Sequence, residues 1–220
     1  MGGHTMVSMT APTLDNGPAD APLTFLLAHG AGAPMDSPFL QVVAEGLARC
    51  GWGVVRFEFP YMARTRQSGK KAAPDRMPVL EACFREQVAL LSERSQLIIG
   101  GKSMGGRVAT QLLDALAPSS NVCAGVCLGY PFHPPGKADQ LRTSHLLDLK
   151  TPLLVLQGER DTFGKREEVV GYGLSEQVSL HWIPDGDHSF KPRKRSGLDL
   201  DQNLALAVDV MDQFAKQLVT

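Results

Sequence analysis

Three side chains in this 220-residue sequence could together carry out a nucleophilic acyl substitution. They are Ser103 in "GGKSMGG", Asp161 in "QGERDTFG" and His188 in "PDGDHSF". A serine hydroxyl is a weak nucleophile at neutral pH, so a histidine must accept its proton during attack and return it to the leaving group. A carboxylate must hold that imidazole in one tautomer and stabilise its charged form. Gly101-Lys102-Ser103-Met104-Gly105 fits G-x-S-x-G, a tight strand-to-helix turn that exposes a serine. The same letters resemble the end of a phosphate-binding loop, but that motif needs a glycine at position 96, where this chain has Gln96.

Each member has rivals. Glu159 and Asp187 flank the proposed acid and base, and either could simply cap or solvate a loop. Asp161 is preferred because it lies one short turn beyond its strand. His188 competes with His29, His133, His145 and His181; of these, His181 falls inside a strand and His29 ends one, which suits a hydrogen-bonded anchor. Acyl transfer also needs donors for the developing oxyanion. The Met104 amide opens a helix directly after the nucleophile, and the Ala31 amide follows His29-Gly30 in "LLAHGAGAP". Residues expected to border the substrate are His29, Lys102, Arg107, Tyr130, Phe132 and His133. The segment "GYPFHPPGK" that holds the last three is explained equally well by proline stiffening. Arg56, Arg64, Lys102, Arg107 and Lys137 on one edge could favour an anionic acyl group.

These residues need a scaffold that brings distant loops together. From Leu23 onward, short β-prone runs alternate with longer amphipathic ones, the pattern of an α/β fold: a mostly parallel central sheet with helices on both faces. Strands are expected at 23–28, 53–59, 96–100, 122–128, 152–157 and 177–183, all but the last nearly continuous in apolar character. Asp36-Ser37-Pro38 and Pro78 mark helix starts. Further helices are expected from Met104 to about Ala117 and from Asp199 to Leu218, with apolar residues at three- and four-residue spacing. Every chemistry-bearing residue then follows a strand, where loops converge at the carboxyl edge of such a sheet. Residues 1–21 read as a flexible tail with a short edge strand around Met6–Thr10, and 22–220 as one domain. The connection from Leu128 to Pro152 is too short for a separate cap domain, which argues for accessible or small substrates.

The formal charge of -1, with acids and bases mixed along the chain, gives no reason to expect nucleic-acid or membrane binding. One basic run, Lys191-Pro192-Arg193-Lys194-Arg195, suits a solvated loop. The start lacks a basic segment followed by a long apolar one, and Cys50, Cys83, Cys123 and Cys127 have no metal-site spacing. The expectation is a cytoplasmic protein with four buried thiols, no metal and no organic cofactor.

"AHGAG", "GGKSMGG", "GERD" and "GDHSF", falling after successive strands in that order, resemble the α/β-hydrolase superfamily over nearly the whole span from Leu23 to Leu218. More narrowly, "HGAGAPMDSPF", "RFEFPYM", "GKSMGGR", "GYPFHPPGK" and "DGDHSF" look like small bacterial hydrolases related to dienelactone hydrolases and to the testis-expressed protein 30-like group. The resemblance implies an α/β-hydrolase fold and a Ser-Asp-His triad acting on a small-molecule ester or lactone. Related eukaryotic proteins that serve in assemblies suggest the alternative of an interaction module retaining its triad as a relic.

Overall fold

Apolar runs buried on both sides form the middle of the sheet. Thr24–Ala28 (β2), Gly53–Phe57 (β3), Leu97–Lys102 (β4), Val122–Leu128 (β5) and Leu153–Gly158 (β6) pair in parallel, with Val178–Ile183 (β7) outermost. β7 is only half-buried, as its mixed sequence anticipates. The structure is a computed structural model and describes residues 12–219; the edge strand expected around Met6–Thr10 lies outside them. An edge strand is present slightly later: Thr13–Asn16 (β1) runs antiparallel to β3 and protects that side of the sheet.

Helices Pro38–Arg49 (α1), Met77–Leu90 (α3), Met104–Leu116 (α4) and Leu200–Val219 (α6) occupy the expected segments. Pleating divides the strands between two cores. Phe25 and Leu27 face α1 and α6, whose Leu40, Val43, Leu204 and Met211 join them. Leu26 and Ala28 face the opposite layer, where α3 and α4 supply Leu80, Phe84, Val108 and Leu112.

Among the described residues, two α-helices have no counterpart in the periodicity. Pro60–Ser68 (α2) buries only Tyr61 and Met62, too few to make a stripe; Pro60 starts it and Gly69, at φ 67°, ends it. Arg166–Val169 (α5) is a single turn. Cys50 is exposed, contrary to expectation, because it caps the end of α1 instead of continuing its inward face; Cys83 and Cys127 are buried.

The strand order β1-β3-β2-β4-β5-β6-β7 contains a reversal at β2. The chain leaves β2 through α1 toward β3, whereas the strand on its other side, β4, leads through α4 toward β5. Loops following β2 and β4 therefore part at the carboxyl edge and leave a crevice between them. Register sharpens this: Ala28 pairs with Gly101, so the turns carrying Ala31 and Ser103 start side by side. No cap domain covers the crevice; the connection from β5 to β6 holds only the short helix Ser144–Leu146. Among the described residues, no helix is long and apolar enough to cross a membrane.

Candidate active site

Ser103 is the hinge between β4 and α4. Its backbone sits at φ 51°, ψ -111°, a conformation non-glycine residues rarely adopt and one that costs about 1–3 kcal/mol. The surrounding structure enforces it. Ser103 N-H donates to Leu128 O at 3.1 Å, and Arg107 N-H donates back to Ser103 O at 2.9 Å, closing the first turn of α4. A side chain at Gly105 would bring its Cβ to 2.6 Å from both Ala28 O and His29 O, so only glycine lets α4 start this close to β2.

Across the crevice, His188 Nδ1 lies 2.7 Å from Asp161 Oδ2 and His188 Nε2 lies 2.9 Å from Ser103 Oγ. A carboxylate can only accept, so Nδ1 carries the proton and Nε2 is the acceptor for the serine hydroxyl. Asp161 is fully buried, and its oxygens are fixed by Phe163 N-H at 2.9 Å and Gln157 Nε2 at 3.0 Å. Gln157 also bonds Tyr130 through both ends of its amide, tying β6 to the segment after β5. The ring of Phe163 lies 4.3 Å from that of His188, centroid to centroid, and confines it.

The rival groups have other tasks. Glu159 pairs with Arg166 and accepts from Asp185 N-H; Asp187 accepts from Ser189 and Lys191 N-H and shapes its own loop. His145 bonds Thr110, His133 faces Glu168, and His181 lies on β7.

In the loop after β2, Phe59 N-H donates to His29 Nε2 at 3.1 Å. Nε2 is thus unprotonated, and Nδ1 carries the hydrogen donated to Gly30 O at 2.7 Å. Burial holds the His29 pKa below its ordinary value, in keeping with a neutral ring. The Tyr61 hydroxyl reaches Gly30 O at 3.3 Å and Ala31 O at 3.1 Å. Burial pushes its phenol up, so the hydroxyl keeps its proton. Two donors therefore draw the Gly30 carbonyl inward. The peptide is trans, so the Ala31 N-H points the opposite way. Neither this amide nor that of Met104 bonds an acceptor among the described residues, and Met104, first in its helix, has no helical partner for its N-H.

Ser103, His188, Ala31, Phe39 and Phe163 line a cavity of about 400 Å³. A second cavity, about 420 Å³, lies on the other side of Ala31 and Gly32 and reaches Arg66 and Lys71 on α2 and its following loop. Arg66 clamps this region: it forms ion pairs with the fully buried Glu58 carboxylate at 2.6 Å and with Asp36 at 2.7 Å.

Of the residues expected to border substrate, Lys102 alone lines the cavity beside Ser103; His29, Arg107, Tyr130, Phe132 and His133 do not. Tyr130 and Phe132 are buried as a ring pair 4.8 Å apart, because the chain folds inward after β5 and packs them into the core, with Tyr172 against Phe132. His29 is the buried anchor just described, and His133 is buried against Glu168. The five-cation edge also dissolves: Arg56 is spent on Met35 O and Asn16, and Arg64 on Asp75. Gln157, Phe163 and Tyr61 were not anticipated. A glutamine ending an apolar strand and a tyrosine after Phe59-Pro60 were the available signals.

A family profile described as an alpha/beta hydrolase domain matches residues 21–216. Among solved structures, the chain is similar to a serine hydrolase without a lid from Xanthomonas campestris, with 23% identity over 89% of this chain and 85% of that one and a TM-score of 0.66. It is similar to dienelactone hydrolase from Anabaena variabilis, with 21% identity, 90% and 88% coverage and a TM-score of 0.66. An esterase domain from Rhodothermus marinus shares 17% identity over 94% and 92% of the two chains, with a TM-score of 0.65.

Proposed function

The chain belongs to the α/β-hydrolase family, and from that premise we propose that it is a serine hydrolase cleaving carboxylic esters or lactones through an acyl-enzyme on Ser103. The observation that carries this is the unbroken chain of hydrogen bonds from Asp161 through His188 to a serine held in a strained turn beside a cavity. Strained backbone in a folded protein concentrates where function pays for it.

The steps follow from the donors and acceptors. Substrate enters the crevice with its carbonyl oxygen between the Ala31 and Met104 amides. Ser103 Oγ attacks the carbonyl carbon as His188 Nε2 takes the hydroxyl proton, and the buried Asp161 carboxylate stabilises the resulting imidazolium. The tetrahedral oxyanion is held by the two amides, with the first turn of α4 adding its positive end. His188 returns the proton to the departing alkoxide, and the bond to it breaks. Water, deprotonated by the same nitrogen, then hydrolyses the acyl-serine and regenerates the enzyme. Every role is met by side chains and amides of this chain. The uncovered crevice and the size of the cavity favour small, accessible acyl groups. The dienelactone hydrolase and esterase domain among the similar structures support esters or lactones as the bond cleaved.

The test is labelling and turnover together. A fluorophosphonate should modify the wild-type protein at Ser103, and para-nitrophenyl esters of short acids should be hydrolysed, with Ser103→Ala losing both. Residual activity in that variant equal to wild type would sink the mechanism; folded wild type that neither labels nor hydrolyses would favour an interaction module.

A further inference from the structure

Lys102 is the one cation that lines the cavity beside Ser103 among the described residues. Its side chain leaves the end of β4 and lies against Gly30, with Cγ 3.5 Å from where a Cβ on that residue would stand. The ammonium reaches the space left open by Gly129, where a Cβ would come within 2.9 Å of Nζ. One of its three N-H groups donates to His188 O at 2.5 Å, and the charge lies 5.4 Å from the centre of the Phe39 ring. No carboxylate forms an ion pair with it among the described residues. The rest of the cavity is mainly apolar, with Ala31, Ala33, Pro38, Leu40 and Phe163 on its walls.

A cation held in such surroundings is costly unless something compensates it. One carbonyl and one ring leave two of its donors unspent. Lys102 and Ser103 are consecutive and both line this cavity, so an acyl group bound to Ser103 shares that space with the Lys102 side chain.

We propose that Lys102 is an anion receptor inside the acyl site, and that the preferred substrates are esters whose acyl chain is short and ends in a carboxylate, that is, half-esters of small dicarboxylic acids. This rests on the serine-hydrolase mechanism of the preceding subsection. Apolar walls bind the methylene chain, the carboxylate completes the hydrogen bonding of the ammonium, and the ester carbonyl stays at Ser103. A charge-assisted hydrogen bond in a partly desolvated site supports a preference of about tenfold to a hundredfold over a neutral acyl chain of equal length.

Burial draws the Lys102 pKa down to about 8, against the opposing pull of Asp161, Cys127 and Asp187. The ammonium is needed for the preference, so the advantage of the acid should shrink as pH rises through about 8. The acid-to-neutral ratio of kcat/KM reports the free enzyme, and steps common to both substrates cancel from it.

The experiment compares mono-para-nitrophenyl glutarate and adipate with para-nitrophenyl pentanoate and hexanoate, after subtracting spontaneous hydrolysis, in wild type and Lys102→Met at low salt. Expected is a wild-type acid-to-neutral ratio of about ten or more that falls above pH 8, and a ratio near or below one in Lys102→Met. Because each ratio is taken within one enzyme, loss of the Lys102 bond to the His188 carbonyl does not disguise the result. Should Lys102→Met fail to fold, inhibition of wild-type hexanoate hydrolysis by glutaramate, which has one amide and one carboxylate, against neutral glutaramide, which has two amides, decides: tighter inhibition by the carboxylate supports the receptor, and equal or weaker inhibition overturns it. A wild-type ratio at or below one, or equal ratios in both enzymes, also overturns it. Turnover of the neutral ester without acid preference defeats only the role of Lys102, whereas absence of both turnover and Ser103 labelling defeats the hydrolase mechanism itself.

Discussion

Tyr61→Phe removes one oxygen atom and tests how the Ala31 amide is aimed. The ring stays packed in the core with Met62 and Phe59, so no cavity opens. What disappears is a hydroxyl shared between Gly30 O at 3.3 Å and Ala31 O at 3.1 Å, both long for an O-H donor. One shared proton at that length contributes about 1 kcal/mol to stability, a fall in Tm of about 2–4 °C for a chain of this size. His29 still holds Gly30 O at 2.7 Å, so the loop loosens without being released. Outright loss of an oxyanion donor costs about a hundredfold to a thousandfold in kcat. A misaimed amide forfeits part of that, and the expected fall is about threefold to thirtyfold in kcat with KM changed by less than about twofold, since the contact is made only as the oxyanion forms. Steady-state kinetics on a short para-nitrophenyl ester, with urea unfolding of the same preparations, reads both numbers. An unchanged kcat in a variant that has lost the expected stability would refute the claim that Tyr61 aims this amide. A raised KM with kcat intact would instead put the hydroxyl on the substrate.

Asp161→Asn replaces an acceptor with a group that can present N-H to His188 and favour the wrong tautomer; kcat should fall about a thousandfold or more while the fold persists, because Phe163 N-H still holds the remaining oxygen and Gln157 keeps its bonds to Tyr130 and Gly164. A loss below tenfold would move the orienting role to another carboxylate. Gly105→Ala places a methyl carbon 2.6 Å from the carbonyl oxygens of Ala28 and His29, which must separate α4 from β2 at a cost of about 2 kcal/mol or more. Thermal unfolding should shift downward together with the rate of fluorophosphonate labelling; normal stability in this variant would contradict the close approach of helix and strand.

Much of the fold is legible before any coordinates, because strands buried on both faces must be apolar along their length. Phe25, Leu26 and Leu27, or Leu154, Val155 and Leu156, permit little else, and helices with long apolar stripes announce themselves equally well. α2 escaped because its inward face amounts to Tyr61 and Met62, with Arg66 serving a clamp on Glu58 and Asp36 that no periodicity encodes. The order in which Ser103, Asp161 and His188 follow their strands is likewise a property of the sequence, since a parallel sheet sends all such loops to one edge.

Which side chains meet at that edge is decided by packing among loops distant in the chain. Tyr130 and Phe132 sit in a segment that reads as a pocket wall, yet the chain turns them into the core, where burying two aromatic rings outweighs leaving them at the rim. Arg56 and Arg64 read as part of a cationic edge, but each finds acceptors within reach of its own side chain and leaves the site. Lys102, flanked by Gly30 and Gly129 and in no ion pair among the described residues, remains in the cavity. The sequence determined the turn that carries Ser103, because glycines on both sides of a serine between a strand and a helix leave few conformations. Only the tertiary structure decided which cation stayed at the site, because that depends on where other chain segments place their oxygens.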